Sequence, residues 1–154
     1  MTVIELVIVI AAIGILGALA VALMVGMNAR MRMMDATEKV STAISLARAG
    51  ALANPLTHCG VFFDRTVNGV LVFYDTNGDL RYTSGSDTIA KPSDKFLRSI
   101  RFYTPAGDTL NDDAVLFRGD GSAWDGGSIG VETTSSSARK TFTVVQATGA
   151  VTVQ

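Results

Sequence analysis

The chain has 154 residues, of which 48% are hydrophobic, and a formal net charge of −1. This length favours a single domain, and the single cysteine excludes an internal disulfide and a multi-cysteine metal site. The near-neutral net charge excludes an overall positive electrostatic field of the kind that attracts a protein to nucleic acid.

The first predicted element is an apolar helix that crosses a membrane. Residues 1–29 hold one charge, Glu5, whereas residues 30–154 hold the other 26. Leu6–Met27 is a run of 22 residues without a charge, and about 20 apolar residues in helix cross a bilayer core. A buried core helix of this length would be too large for the rest of the chain to cover. A signal peptide needs a basic region before its apolar core, and no Lys or Arg precedes this run.

Glu5 is the unusual residue of this segment. An unpaired carboxylate at the centre of a bilayer costs a few kcal/mol. The other charge nearby is the α-amino group of Met1, which pairs with Glu5 either within the chain or in a neighbouring copy. A pair between copies would make the anchor an assembly device, so we predict Met1 and Glu5 as assembly residues.

Residues 1–20, MTVIELVIVIAAIGILGALA, resemble the mature N-terminus of a type IV pilin or pseudopilin. The shared features are Glu5, the unbroken aliphatic residues after it, Gly14 and the Ala-rich continuation. The resemblance implies a leader removed by a prepilin peptidase and N-methylation of the new amine at Met1, where the family usually has Phe. It also implies a bacterial inner-membrane protein with a single span that an assembly machinery builds into an extracellular or periplasm-spanning filament.

The helix is predicted to continue beyond the membrane over residues 30–54. Asn54-Pro55 ends the helical pattern. The apolar residues of this part form a stripe at the helical spacing of three and four: Ala36, Val40, Ala43, Ile44, Ala47, Ala51. One helix of about 53 residues would be about 80 Å long. Gly14 and Gly17 lower its helix propensity, and they serve either close helix packing or loosening during assembly.

Residues 55–154 are predicted to form a β-rich globular head. Asn68-Gly69 indicates a hairpin, and Gly and Asp clusters separate the other short apolar runs. The predicted strands are Cys59–Asp64, Val70–Tyr74, Phe96–Tyr103, Ala114–Arg118, Ser128–Thr133, Arg139–Gln146 and Ala150–Val153. The expected class is α+β, with the second half of the long helix packed on a small antiparallel β-sheet domain in a pilin-like arrangement.

Three looser motifs are similar to the FimT/GspH-type pilins: residues 46–59, 72–79 and 115–121 with Gly149-Ala150-Val151. The first expectation is a structural subunit of a type IV pilus-like filament. The alternative is a minor pseudopilin of a type II secretion system, or a tip pilin that takes up DNA through basic residues near the C-terminus. The last fourteen residues of this chain carry no charge, which weakens the DNA prediction.

Other candidate sites carry less weight. Asp75, Asn77 and Asp79 have the alternate spacing of a calcium loop, but the positions for Gly and a bidentate Glu hold Leu80 and Ser86, so turn chemistry is the preferred interpretation. His58 and Cys59 are adjacent without further ligands or a base. Lys95, Arg98 and Arg101 are interpreted as solvated surface. No enzymatic activity and no cofactor are predicted.

Overall fold

A single long helix opens the chain. The computed structural model describes residues 2–96, 99–106, 110–134 and 138–154, without the side chains at 21–23, 25, 26 and 111. Helix α1 spans Val3–Ala53 without a break, which confirms the predicted length. It ends before Pro55, as the restriction on the residue preceding a proline requires, and the Asn54 backbone N–H donates to the Gly50 carbonyl at 3.1 Å.

The described part of the head contains two antiparallel four-stranded sheets. Their orders are β3-β2-β1-β5 and β4-β6-β7-β8, so the predicted α+β class with an antiparallel β domain is confirmed, and the domain consists of two sheets. The strands are β1 His58–Asp64, β2 Gly69–Asp75, β3 Thr88–Lys95, β4 Ile100–Tyr103, β5 Ala114–Phe117, β6 Gly127–Thr133, β7 Arg139–Val144 and β8 Val151–Val153.

The largest errors of the strand prediction are at β3 and β4. Strand β3 was not predicted because it is polar, mostly exposed and contains Pro92. Among the described strands it lies at a sheet edge, paired with β2, and an edge is where a strand tolerates a proline. The predicted strand Phe96–Tyr103 is observed only from Ile100, where β4 begins. Phe96 and Ser99 lie outside the strand, and positions 97–98 lie outside the described residues. The other predicted strands differ from the observed ones by one or two residues at their ends.

The predicted hairpin is confirmed with a longer turn. Asp64 pairs with Gly69, so four residues connect β1 and β2, and Asn68 has a φ of 54°. The Asp64 carboxylate accepts hydrogen bonds from the backbone N–H groups of Thr66 and Val67 at 2.8 and 3.1 Å. This side chain therefore stabilises the turn locally.

One face of α1 forms the core with both sheets. The predicted stripe is buried, and Met33 extends it towards the N-terminus of the helix at 7% exposure. Its small residues let the helix approach the first sheet closely: a Cβ on Gly50 would lie 2.9 Å from the Cys59 sulfur. Four phenylalanines without solvent exposure fill much of the head core: Phe63, Phe73, Phe117, Phe142.

Arg48 ties the end of the helix to two loops of the head. Its Nε donates to the Gly121 carbonyl at 3.1 Å, and its Nη2 donates to the Thr148 carbonyl at 3.0 Å. The helix is therefore held against the head by hydrogen bonds that a charged guanidinium donates, as well as by apolar packing.

Candidate assembly surface

The first turn of α1 contains a reciprocal cap. Thr2 is the N-cap, and its hydroxyl accepts from the Glu5 backbone N–H at 3.4 Å. The Glu5 carboxylate accepts from the Thr2 backbone N–H at 2.7 Å. This is a capping box, T-x-x-E, a signal present in the sequence that our sequence analysis missed. Met1, the predicted partner of Glu5, lies outside the described residues.

The first half of α1 contains an apolar segment that the described part of the head does not bury. By length and composition Val3–Ala20 can cross a membrane, and none of this segment is buried within the molecule. Val3 is 81% exposed and Leu16 66%. An apolar surface of this extent requires lipid or protein to cover it, because soluble proteins rarely expose a large contiguous apolar patch.

Four methionines continue this exposed surface from the end of the apolar run to beyond it. Met24, Met27, Met31 and Met34 are each more than half exposed, and their spacing of three, four and three places them on one helix face. We call these four residues the methionine stripe. Met33 instead faces the head, since two residues along a helix turn it by about 200°.

Gly14 and Gly17 lie within regular helix. A Cβ at either position would meet nothing within 4 Å, so packing inside the chain does not require glycine there. A need for glycine at these positions would have to come from the close approach of another helix or from loosening of α1 during assembly. Both roles remain predictions.

The residues of the candidate calcium loop bind each other and the loop backbone. The buried Asp75 carboxylate accepts from the backbone N–H groups of Gly78 at 2.7 Å and Leu80 at 3.1 Å. Asp79 accepts from the Thr83 hydroxyl and the Asn77 amide, both at 2.8 Å, and the Thr83 bond is the main cause that lowers the Asp79 pKa. This geometry matches turn chemistry. Among the described residues, no three His, Cys, Asp or Glu side chains are grouped to hold a metal ion.

His58 and Cys59 point to different surroundings, as neighbours in a strand do. His58 Nδ1 lies 3.9 Å from the Asp75 carboxylate, and its ring meets the Trp124 ring edge-on at a centroid distance of 5.4 Å. Cys59 is buried in the core, and burial raises the pKa of its thiol to about 11. A thiol with this pKa is a poor nucleophile at neutral pH.

Many basic side chains of the head are paired with carboxylates. Arg65 binds Asp113 through two hydrogen bonds of 2.7 and 2.6 Å, and Arg81 lies 2.9 Å from Asp112. Arg101 and Arg139 both bind Glu132, at 2.7 and 2.9 Å. Arg98 lies outside the described residues. These pairs reduce the positive charge that the head offers to a polyanion.

Glu132 should make the stability of the head depend on acidic pH. The hydrogen bond from Arg101 is the main cause that lowers the Glu132 pKa from its ordinary value of 4.5. The stabilisation is therefore complete above this ordinary value and is lost as the pH falls through the lowered pKa. We expect Glu132→Gln to be less stable than the wild type at pH 7, with a difference that shrinks on acidification. Thermal unfolding of the full chain in detergent between about pH 7 and pH 3 measures it.

The matched control is Glu38→Gln, which removes an exposed carboxylate from the helix. We expect little change in its stability at any pH in this range. A stability difference for Glu132→Gln that stays constant from neutral to acidic pH would contradict the assigned cause.

Comparison with known proteins supports the fold. No protein-family model and no curated protein matches the chain. Among solved structures, the chain is similar to the minor pseudopilin EpsH from the type 2 secretion system of Vibrio cholerae. The TM-score is 0.53 at 9% sequence identity, over 77% of this chain and 94% of that chain. At this identity the likeness shows the fold alone, and it confirms the predicted pilin-like arrangement.

Proposed function

We propose that this chain is a structural subunit of a type IV pilus-like filament. Before assembly, the first half of α1 anchors it as a single span in a bacterial inner membrane. The same segment then leaves the lipid and packs against its counterparts in neighbouring subunits, so that the filament is held together by a bundle of apolar helices. The heads remain outside this bundle and form the filament surface.

One observation carries this proposal: a helix of 51 residues whose first 18 residues, Val3–Ala20, are apolar and unburied within the described chain. A simple anchor would account for a membrane span. In this chain the span continues directly into the part of the helix that packs on the head. A polymerising subunit needs this continuity, because the head is then attached rigidly to the core of the filament. Burial against neighbours contributes less than about 25 cal/mol per Å², since lipid already covers the same surface before assembly.

Glu5 would set the register between subunits by pairing with the Met1 amine of a neighbour. In the isolated chain the carboxylate caps its own helix through the Thr2 backbone N–H. A carboxylate has further acceptor positions, so the cap and an intermolecular pair are compatible. The resemblance adds a prepilin peptidase, N-methylation of Met1 and an assembly machinery as proposed partners.

A second candidate function is that of a minor pseudopilin in type II secretion. The structural likeness to a protein of that description supports this candidate. A DNA-binding tip pilin is less favoured, because several arginines of the head are paired with carboxylates and the last fourteen residues carry no charged side chain. The two candidate functions share the assembly mechanism and differ in copy number.

Electron microscopy of filaments sheared from the cell surface, with mass identification of their bulk subunit, tests the proposal. A filament built mainly of this chain supports the first function. A trace amount in filaments built of another subunit supports the minor role. Absence from every filament and pseudopilus fraction would refute both.

A further inference from the structure

One end of the head lies beside the part of α1 that follows the apolar run. The Arg32 guanidinium donates to the Ser99 hydroxyl at 3.1 Å, and Ser99 directly precedes β4. The Asn68 side-chain amide donates to the Ile100 carbonyl, so the turn between β1 and β2 lies at this end as well. The uncharged run ends at Met27, five residues before Arg32. In the anchored state proposed above, this end of the head therefore faces the surface of the bilayer.

The layer of lipid headgroups is thick enough to meet this end. It adds about 5–8 Å to the hydrocarbon core on each side of a bilayer. Arg30 and Arg32 lie about 5 and 8 Å beyond Met27 along the helix axis. Both are exposed, and they precede and follow Met31 of the methionine stripe. With Met27 at the hydrocarbon boundary, the two arginines lie at the depth of the lipid phosphates.

The second sheet contributes two more arginines at this end. Arg101 is the second residue of β4, and Arg139 is the first residue of β7. Both donate to the Glu132 carboxylate, at 2.7 and 2.9 Å, and their side chains are 65% and 64% exposed. One carboxylate is therefore shared by two exposed guanidinium groups, and the three residues together keep a positive charge.

Two lysines complete this surface. The backbone N–H of Phe96 donates to the Asn68 carbonyl at 2.9 Å, which places Lys95 beside the turn between β1 and β2. Lys140 lies in β7 and lines the same groove on α1 as Glu38. We call the six basic residues of this end the basic underside, and all six are exposed: Arg30, Arg32, Lys95, Arg101, Arg139, Lys140.

The acids at this end only partly offset the basic underside. Glu132, Glu38 and Asp64 of the turn between β1 and β2 offset at most half of its charge. Two aspartates pair with lysines outside the six, at 3.0 and 3.1 Å: Asp35 with Lys39, Asp94 with Lys91. The basic underside is therefore positive, although the chain as a whole has a net charge of −1.

We propose that the basic underside binds the anionic phospholipid headgroups of the membrane that holds the span. The contact rests on the anchored state of the proposed function and adds a second attachment outside the hydrocarbon. Guanidinium groups bind phosphate oxygens through paired N–H donors, and basic clusters next to a span are attracted to anionic lipid. The head is thereby held against the bilayer before assembly, and a subunit gives up this contact when it leaves the membrane.

The span makes lipid the favoured anion for this surface. A headgroup beside an anchored chain is always within reach, so its effective concentration is far higher than that of an anion free in solution. The basic underside also lies on the side of the head that the bilayer faces. A soluble polyanion would have to enter the space between head and membrane to reach the same residues.

The distance of the head from the bilayer tests this contact. The full chain with Val67→Cys carries a fluorophore on the turn between β1 and β2. Val67 is 42% exposed, whereas the native Cys59 is 1% exposed and stays unlabelled. The labelled chain is reconstituted into vesicles of phosphatidylcholine, with or without about 30% phosphatidylglycerol, that contain a lipid with a nitroxide on its headgroup as quencher.

We expect quenching to be about twofold stronger in the vesicles with phosphatidylglycerol at about 50 mM salt, because the head is drawn to the anionic surface. The difference should disappear at about 500 mM salt, because screening weakens the attraction. Equal quenching in the two kinds of vesicle at low salt would overturn the proposal.

The test variant combines Arg32→Gln with Lys140→Gln, which leaves the Glu132 pairs intact. We expect it to lose at least half of the difference between the vesicles. The matched control is Arg118→Glu, which changes the net charge by the same amount. Arg118 belongs to the loop held by Arg48, about 24 Å beyond Arg32 along the helix. An equal loss in the control would assign the effect to net charge and overturn the proposal. Far-UV circular dichroism confirms that each variant is folded.

Two further controls separate the alternatives. About 10 mM inorganic phosphate at constant ionic strength should leave the difference unchanged, because screening is then the same. Its loss would indicate a site for free phosphate and overturn the membrane contact. Extraction with alkaline carbonate tests the anchor by itself. A chain that carbonate releases refutes the anchor and the proposed function with it, whereas an inserted chain with equal quenching refutes this contact alone.

The lipids that accompany the chain provide an independent measurement. The full chain is extracted from mixed vesicles in copolymer discs, and the phospholipids of the discs are counted by mass spectrometry. We expect phosphatidylglycerol to be enriched about twofold over the bulk membrane around the wild type, and less around the variant with Arg32→Gln and Lys140→Gln. A bulk composition around the wild type would overturn the proposal.

Discussion

A chain with Glu5→Ala is expected to fold and insert normally but to enter filaments at least about tenfold less than the wild type. The substitution removes the carboxylate that would pair with the Met1 amine of the neighbour. Losing a charge pair in an apolar environment exposes the remaining amine, and a cost of about 1.4 kcal/mol already corresponds to tenfold in an equilibrium constant. Membrane fractionation measures insertion, and the sheared fraction measures assembly.

The control for this prediction is Thr2→Ala, because Glu5 has two roles in the first turn. Glu5→Ala removes the carboxylate from both the helix cap and the proposed intermolecular pair. Thr2→Ala removes the hydroxyl that accepts from the Glu5 N–H and leaves the carboxylate in place, at a cost of about 1 kcal/mol in helix stability. We expect near-normal assembly of Thr2→Ala. An equal loss in both variants would assign the effect to capping instead of registration.

Gly149→Ala is expected to destabilise the head by about 3 kcal/mol. Gly149 has a φ of 61° in the turn between β7 and β8, where a side chain costs about 1–2 kcal/mol. A Cβ there would also overlap the Gly121 carbonyl oxygen, which accepts the hydrogen bond from Arg48. Relief of this overlap would displace the loop and weaken the tie between helix and head, as overpacking does at about 1–3 kcal/mol.

Thermal unfolding of the full chain in detergent, followed by the near-UV signal of Trp124, measures this effect. A loss of about 3 kcal/mol lowers the Tm of a domain of this size by roughly 10 °C. The matched control is Gly85→Ala, where φ is 90° and a Cβ would meet nothing within 4 Å, so that only backbone strain of about 1–2 kcal/mol applies. Equal shifts in the two variants would show that the contact with Gly121 contributes nothing.

The long helix and its two faces could be predicted because the signals are local and repeated. The helical spacing of Ala36, Val40, Ala43 and Ala47 recurs over several turns, and each of these residues is buried where the pattern placed it. Asn54-Pro55 ended the helix for a steric reason that depends only on neighbouring residues. The capping box at Thr2 and Glu5 is an equally local signal, because its T-x-x-E spacing lies within one helical turn.

The division of the strands into two sheets had no comparable signal. Strand β3 reads as a polar loop, and it becomes a strand because the backbone of β2 is available to pair with it at the sheet edge. Strand β4 pairs with β6, about 30 residues later in the chain. Pairing between segments so far apart depends on which sheet edges the rest of the fold leaves unpaired. The alternation of apolar and polar residues within one segment carries no information about those edges.

By itself, the sequence determined that an apolar span continues as an amphipathic helix into a β-rich head, because hydrophobic periodicity is a property of neighbouring residues. It also pointed to Glu5 as the one charge of the first 29 residues. Only the tertiary structure decided that Met33 is buried while Met31 and Met34 remain uncovered. That distinction depends on where the head docks on the helix, and the position of docking is set by packing between segments far apart in the chain.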